Sequence, residues 1–252
     1  MLGREDTYDA LAGSYDELTE DVDYPGLADF VEKLFTRQRR AVRTVLDLAC
    51  GTGTMSHLLA HRGYEVIGVD FSPEMLAVAA EKPVAGLREP PIFLCQPMEK
   101  LDLYGTVDAC ICLLDSVNHV TSPKRLLEAF RRVRLFLEPG GMFLFDVHTP
   151  EHLRTLDGEM FLDEREDVYC VWRTEYDHRR RICTYAIDLF RQEGSMWRRE
   201  EEVHEEYAYT PQELIDLLTQ AGFVKIRQYG ERKLRRPAAG DARIFFAAEK
   251  PK

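Results

Sequence analysis

The residues of this chain that point most directly to chemistry are two glycines and a carboxylate at fixed spacing. Gly51 and Gly53 lie in Val45-Leu46-Asp47-Leu48-Ala49-Cys50-Gly51-Thr52-Gly53, where an apolar run of strand type breaks into a turn. Glycine reaches backbone torsions closed to other residues and lets the main chain approach a ligand. Asp70 closes the next apolar run, Tyr64 to Asp70, 17 residues after Gly53. A carboxylate at the end of a second strand can accept hydrogen bonds from both hydroxyls of a ribose. Alone, a G-x-G is a common strand–helix turn, and Asp70 could simply cap the helix beginning at Ser72-Pro73. The two features together predict a ligand site made of main chain and one acid.

Positioning such residues requires a strand–helix alternation, and the chain supplies it. Leu27, Phe30, Val31, Leu34 and Phe35 recur at helical spacing, as do Tyr8, Leu11, Ala12, Tyr15 and Leu18, so two N-terminal helices are predicted. Strands follow at Val45–Ala49, Tyr64–Asp70, Ile92–Cys95, Val107–Leu114 and Met142–Val147, with Pro139-Gly140-Gly141 as a turn before the last. Val107–Leu114 is apolar on both alternating sets, as a central parallel strand must be. Ser72-Pro73 and Ser122-Pro123 open helices, Ser as cap and Pro in the first turn. After about residue 155 the rhythm changes to long alternating segments, Tyr169–Tyr176, Ile182–Phe190 and Met196–Tyr209. These predict a small antiparallel sheet with one packed face. Thr210-Pro211-Gln212-Glu213 is a capping box before a last helix, and two closing strands, Val224–Tyr229 and Ala242–Ala248, complete the pattern.

Asp47-Leu48-Ala49-Cys50-Gly51-Thr52-Gly53 followed by Val69-Asp70-Phe71-Ser72 resembles the first two signature motifs of class I S-adenosylmethionine (SAM)-dependent methyltransferases. Leu114-Asp115-Ser116-Val117-Asn118 resembles the corresponding segment of a bacterial subgroup, the YqeM-like methyltransferases, and Leu137-Glu138-Pro139-Gly140-Gly141 resembles the family's turn before its fifth strand. The resemblance implies an α/β fold: a Rossmann-like, doubly wound, mostly parallel seven-stranded sheet with an N-terminal helical cap and an inserted small antiparallel sheet. It divides the chain into a SAM-binding core with its cap (1–155), an inserted antiparallel lid (156–209) and a C-terminal helix and strands completing the core sheet (210–252). It implies SAM as cofactor, with S-adenosylhomocysteine as product. Ala49, Cys50, Gly51, Thr52 and Gly53 would cradle the methionine moiety, with Asp47 near its amino group and Asp70 on the ribose. Phe71 and Met75 would flank the adenine, Gln96, Pro97 and Met98 would meet its edge, and Leu113 would touch the cofactor. Tyr8 and Tyr15 resemble the segment that caps SAM in small-molecule methyltransferases. Two positions depart from the pattern. Ala49 replaces the first glycine of G-x-G-x-G, and Pro97 stands where many relatives place an acid for the adenine amino group.

Methyl transfer from a sulfonium is an in-line displacement, so the protein chiefly aligns the reactants and excludes water. A base is needed only when the acceptor must lose a proton. Candidates are Asp115, His119 and His148, each after a predicted strand, with a structural role as the plain alternative. Tyr169, Trp172, Tyr176 and Trp197 read first as packing of the small sheet. Competing functions are a non-enzymatic SAM-binding regulator, an RNA methyltransferase, and a nicotinamide-dependent oxidoreductase. The oxidoreductase fingerprint G-x-G-x-x-G fails here at Ser56.

Composition narrows the partners. The 252 residues carry 33 Lys+Arg against 44 Asp+Glu, a net charge of −11. That disfavours a nucleic-acid partner and favours a small-molecule acceptor. Three basic clusters stand against the trend: Arg37/Arg39/Arg40, Arg179/Arg180/Arg181 and Arg232/Lys233/Arg235/Arg236. The six cysteines show no metal-binding spacing, so no metal is expected. Without a signal peptide or a membrane-length apolar run, the expected setting is cytoplasmic, with no membrane partner, as a monomer or homodimer.

Overall fold

The computed structural model describes residues 10–38 and 40–252. A 3-10 turn at Ala12–Ser14 leads into a short helix, α1 (Tyr15–Leu18), followed by α2 (Tyr24–Phe35). The alternating region is β1 (Thr44–Leu48), α3 (Thr54–His61), β2 (Glu65–Asp70), α4 (Pro73–Glu81), β3 (Ile92–Cys95), β4 (Val107–Cys112), α5 (Pro123–Phe136), β5 (Leu137–His148) and α6 (Pro150–Thr155). Four antiparallel strands come next: β6 (Met160–Glu164), β7 (Val168–Asp177), β8 (Ile182–Glu193) and β9 (Met196–Tyr207). The chain then closes with α7 (Pro211–Ala221), β10 (Val224–Gly230) and β11 (Arg243–Glu249).

The main sheet has the order β10-β11-β5-β4-β1-β2-β3. Its strands are parallel except β11, which runs against both neighbours. β4 is buried along its whole length, as its unbroken apolar sequence requires. Leu126, Phe130 and Val133 of α5 and Leu214, Leu217 and Leu218 of α7 pack on one face. Leu27, Phe30, Val31 and Leu34 of α2, with Met55 and Leu59 of α3, pack on the other. Helix starts follow capping chemistry. Ser72, Ser122, Thr149 and Thr210 each accept an N–H from the first turn, and each is followed by proline. The Thr210–Glu213 capping box forms, and Gly222 ends α7 at φ +89°.

Three local expectations change. Leu11 to Leu18 form a 3-10 turn and a single short helix, broken around Gly13-Ser14, and Tyr8 lies outside the described residues. Strand β5 begins at Leu137 instead of after the Pro-Gly-Gly turn. Leu137 pairs with Val107 and Met142 with Ala109, so residues 138–141 bulge out of one continuous strand. Gly140, at φ +79°, turns that bulge, and Gly140 and Gly141 pair with Lys250. The small sheet has a fourth strand, the edge strand β6, whose Met160, Phe161 and Leu162 stay exposed and left no alternating signature.

The small sheet's packed face carries Val168, Cys170, Ile187 and Leu189 and meets Leu11 and Leu18 of the N-terminal segment. Glu202 of β9 also accepts hydrogen bonds from the backbone N–H groups of Ala10 and Leu11. Asn118 fixes the other end of β9: its side chain donates to the Tyr207 carbonyl, and its own carbonyl accepts from Tyr207 N–H. The N-terminal segment and the small sheet therefore meet on the side of the main sheet where β1, β2 and β4 end.

Candidate functional site

At the carboxyl ends of β1, β2 and β4 lies a cavity of about 370 Å³. This is the edge at which open α/β sheets bind ligands. The turn after β1 forms one wall. Ala49, Gly51 and Gly53 all have positive φ, at 58°, 53° and 71°. Space explains the glycines differently. A Cβ on Gly53 would sit 2.9 Å from Ala79 and Phe93, whereas one on Gly51 would meet nothing. Gly53 is thus a packing requirement, and Gly51 leaves an open backbone surface facing the cavity. Ala49 carries a side chain in a left-handed conformation that costs about 1 kcal/mol.

Two acids line the same cavity. Asp70 accepts N–H bonds from Gly51 at 2.8 Å and Ser72 at 3.0 Å. This ties the glycine turn to the end of β2 and leaves acceptor capacity on both oxygens. Burial raises its pKa, and the Ser72, Gly51 and Phe71 amides only partly offset that. Asp47 is buried and accepts a 2.6 Å bond from the Ser56 hydroxyl. Burial pushes its carboxyl up to about 7, Ser56 partly opposes the shift, and the charge of Asp70 adds to it. Among the described residues neither acid has a cationic side chain in ion-pair range.

Of the other predicted cofactor residues, Tyr15, Cys50, Thr52, Phe71, Met75, Pro97, Met98 and Leu113 line the cavity. Gln96 does not. Its side chain is turned away, exchanging two hydrogen bonds with the Asp102 backbone at 2.8 and 3.1 Å. The sequence reading missed Tyr24, Glu99, Ser116, Thr121 and Arg125, which also line the cavity. Glu99, two residues beyond Pro97, brings a carboxylate to the cavity wall, held by Arg125 at 2.8 Å. No local pattern marks it.

Asp16 binds the N-terminal segment to the glycine turn. It accepts from Thr52 at 2.6 Å and Thr54 at 3.1 Å, and pairs with Lys82 at 2.7 Å. Tyr15 beside it has its hydroxyl pKa raised, by burial first and then by Tyr24 and nearby acids. It remains a neutral phenol.

The catalytic candidates separate. His119 lines the cavity, its ring edge-on to His204 at 6.1 Å, and His204 contacts Glu202 at 2.8 Å. Asp115 and His148 are not among the lining residues and belong to a charged cluster behind them. Arg243 Nη2 lies 2.6 Å from Asp115 and 2.8 Å from His148 Nε2, and its Nη1 donates to Asp146. His148 Nδ1 lies 3.1 Å from Glu206; burial would lower its pKa, but Asp115 and Glu206 raise it above the ordinary value. Burial would raise the Asp115 pKa, but His148, Arg243 and His119 pull it well below the usual range. Asp115, His148 and Glu206 bring ligand atoms within 4.8 Å of one another, but Arg243 already lies between two of them as a permanent cation.

A methyltransferase-domain family model matches residues 45–141. A Bacillus subtilis protein, YqeM, named as a methyltransferase, is 31% identical over 247 residues, covering 97% of this chain and 98% of its own length. A solved SAM-dependent methyltransferase from Clostridium acetobutylicum is similar with a TM-score of 0.84 at 26% identity, covering 97% and 99% of the two chains. A glycine/sarcosine N-methyltransferase of Parasynechococcus marenigrum is 29% identical over 154 residues, 59% of this chain and 54% of its own.

Proposed function

We propose that this chain, which belongs to the class I SAM-dependent methyltransferases, methylates an amine nitrogen of a small molecule. The observation that carries the cofactor assignment is the pair of cavity acids without cationic partners. A ligand bearing an ammonium and a sulfonium complements them. In this reading Asp47 meets the ammonium, and the backbone of residues 49–53 holds the methionine moiety. Asp70 holds the ribose, Phe71 and Met75 flank the adenine, and Met98 with Glu99 lies at its edge.

The bound cofactor supplies a methyl group on sulfur that leaves as a neutral thioether, so no acid is needed there. The work of the chain is alignment and exclusion of water. Tyr15, anchored beside Asp16, covers the cavity and offers a phenol donor. An amine acceptor reaches the site largely as an ammonium ion and must release a proton before its lone pair can attack. His119 is the cavity-lining base placed to take it. The N-methyltransferase relative supports nitrogen as the acceptor atom, and the small sheet with the N-terminal segment forms the cover that selects the acceptor.

The test is S-adenosylhomocysteine release from SAM with a panel of amino acids and amino sugars beside their hydroxyl analogues. Turnover with amines is expected. His119→Ala should lower kcat by roughly 100-fold with SAM affinity unchanged. Turnover confined to the hydroxyl analogues would overturn the amine assignment.

A further inference from the structure

The sheet has a second recess at its opposite edge. α2 covers the upper part of the β10/β11/β5 face through Phe30, which packs on Tyr229 and Phe245. The helix ends at Phe35, leaving the strand ends below it uncovered. The recess there has a volume of about 460 Å³. Its lining side chains include five cations, Arg37, Arg40, Lys225, Arg227 and Lys252, against one carboxylate, Glu249. Two of the cations are already paired, Lys225 with Glu249 at 2.5 Å and Arg40 with Asp108 and Glu138, which leaves Arg37, Arg227 and Lys252 without a carboxylate partner among the described residues, in a chain whose net charge is −11.

Strand β10 carries two of these cations. In β10, Lys225 and Ile226 together oppose Ala248, because Val224 pairs with Glu249 and Arg227 with Ala247. Lys225 takes φ +50°, a left-handed conformation unfavourable for a residue with a side chain. Ile226 packs against the α7 side of the core, and alternation along the strand turns Lys225 and Arg227 to the other side, where both line the recess. Arg40 is fixed by Asp108 at 2.7 Å and Glu138 at 3.4 Å. Among the described residues Arg37 and Arg227 have no carboxylate partner.

We propose that this recess is a binding site for phosphate groups, separate from the cofactor cavity. Arg37 and Arg227 supply uncommitted guanidinium groups, and Lys252 adds a further cation beside the Lys225–Glu249 pair. Planar guanidinium forks match phosphate oxygens. The phosphates can belong to a free polyphosphorylated metabolite or to a nucleic-acid backbone.

The experiment titrates the full chain with inorganic pyrophosphate by calorimetry, and with a fluorescein-labelled single-stranded 12-nucleotide RNA by polarisation, both at low salt. It compares the natural sequence with Arg37→Glu/Arg227→Glu, and SAM binding reports the fold of each. Pyrophosphate binding is expected, weakened at least about tenfold in the variant with SAM affinity kept. RNA binding that pyrophosphate displaces and the variant loses assigns the site to a nucleic-acid backbone. Binding of pyrophosphate alone assigns it to a free phosphorylated ligand. Absence of binding by either probe, or binding indifferent to the variant, overturns the proposal. If the variant fails to take up SAM, Lys225→Gln/Arg227→Gln replaces it in the same comparison.

Discussion

Two pairs of carboxylates, all buried except the half-buried Asp115, stand at the same edge of the sheet, and their surroundings differ. Asp115 and Asp146, at the ends of β4 and β5, share the Arg243 guanidinium. Asp47 and Asp70, at the ends of β1 and β2, have hydroxyl and amide donors but no cation. The first pair is complete within the protein. It joins the main sheet to the small one through His148 and Glu206. The second pair has no cation, and burial raises the pKa of both its members, as it does for Asp146 against the opposing pull of Arg243. Buried charge is expensive when unpaired, so the fold carries a deficit at the cavity that, on the proposed function, a cationic ligand relieves.

The comparison breaks most sharply at Arg243. Arg243→Met should strand Asp115 and Asp146 and destabilise the fold by about 3–5 kcal/mol, lowering the melting temperature by roughly 10 °C. Calorimetric melting at the natural temperature would show that the paired half is not structural. Next in size, Asp70→Asn should weaken SAM binding by roughly 10–100-fold, or about 1.4–2.8 kcal/mol, with little change in melting, because the amide retains an acceptor for Gly51 or Ser72.

Asp47→Asn separates stability from binding. The folded carboxyl titrates near 7 and its ordinary value is 3.8, so between these pH values the folded state holds a proton that the unfolded state has released. Stability contributed by this group therefore falls as pH rises from about 4 to 7. At pH 8 the asparagine variant should be more stable than the natural protein by about 1–2 kcal/mol, as thermal unfolding would report, while binding SAM more weakly. The smallest expected effect is at Ala49. Ala49→Gly relieves a residue at φ +58° and should stabilise the fold by roughly 0.5 kcal/mol, read as a small shift in denaturant midpoint.

The same contrast explains what the sequence made legible. The glycine turn, Asp47 and Asp70 were readable because the turn is built by main-chain geometry, which leaves a contiguous signature. The order of strands and helices followed from burial patterns and Ser/Thr-Pro caps. The Arg243 cluster was not readable, because Asp115, His148, Glu206 and Arg243 come from four separated segments that only the antiparallel return of β11 and the docking of β9 bring together. Glu99 was missed for a similar reason: its position depends on the 3-10 turn at Met98–Lys100. Gln96 shows the converse. Its place in the sequence pointed to the cavity, yet Asp102, six residues on, offers its amide a complete pair of hydrogen bonds.

The central claim is that Asp47 and Asp70 await a cation, and titration calorimetry with SAM between pH 5.5 and 7.0 tests it most directly. In that range an α-amino group stays protonated, so the ionisation of Asp47 dominates the change. The account predicts that affinity rises about tenfold across the window and that Asp47→Asn flattens the rise. Failure of the folded protein to take up SAM, or an affinity independent of pH in the natural sequence, would contradict it.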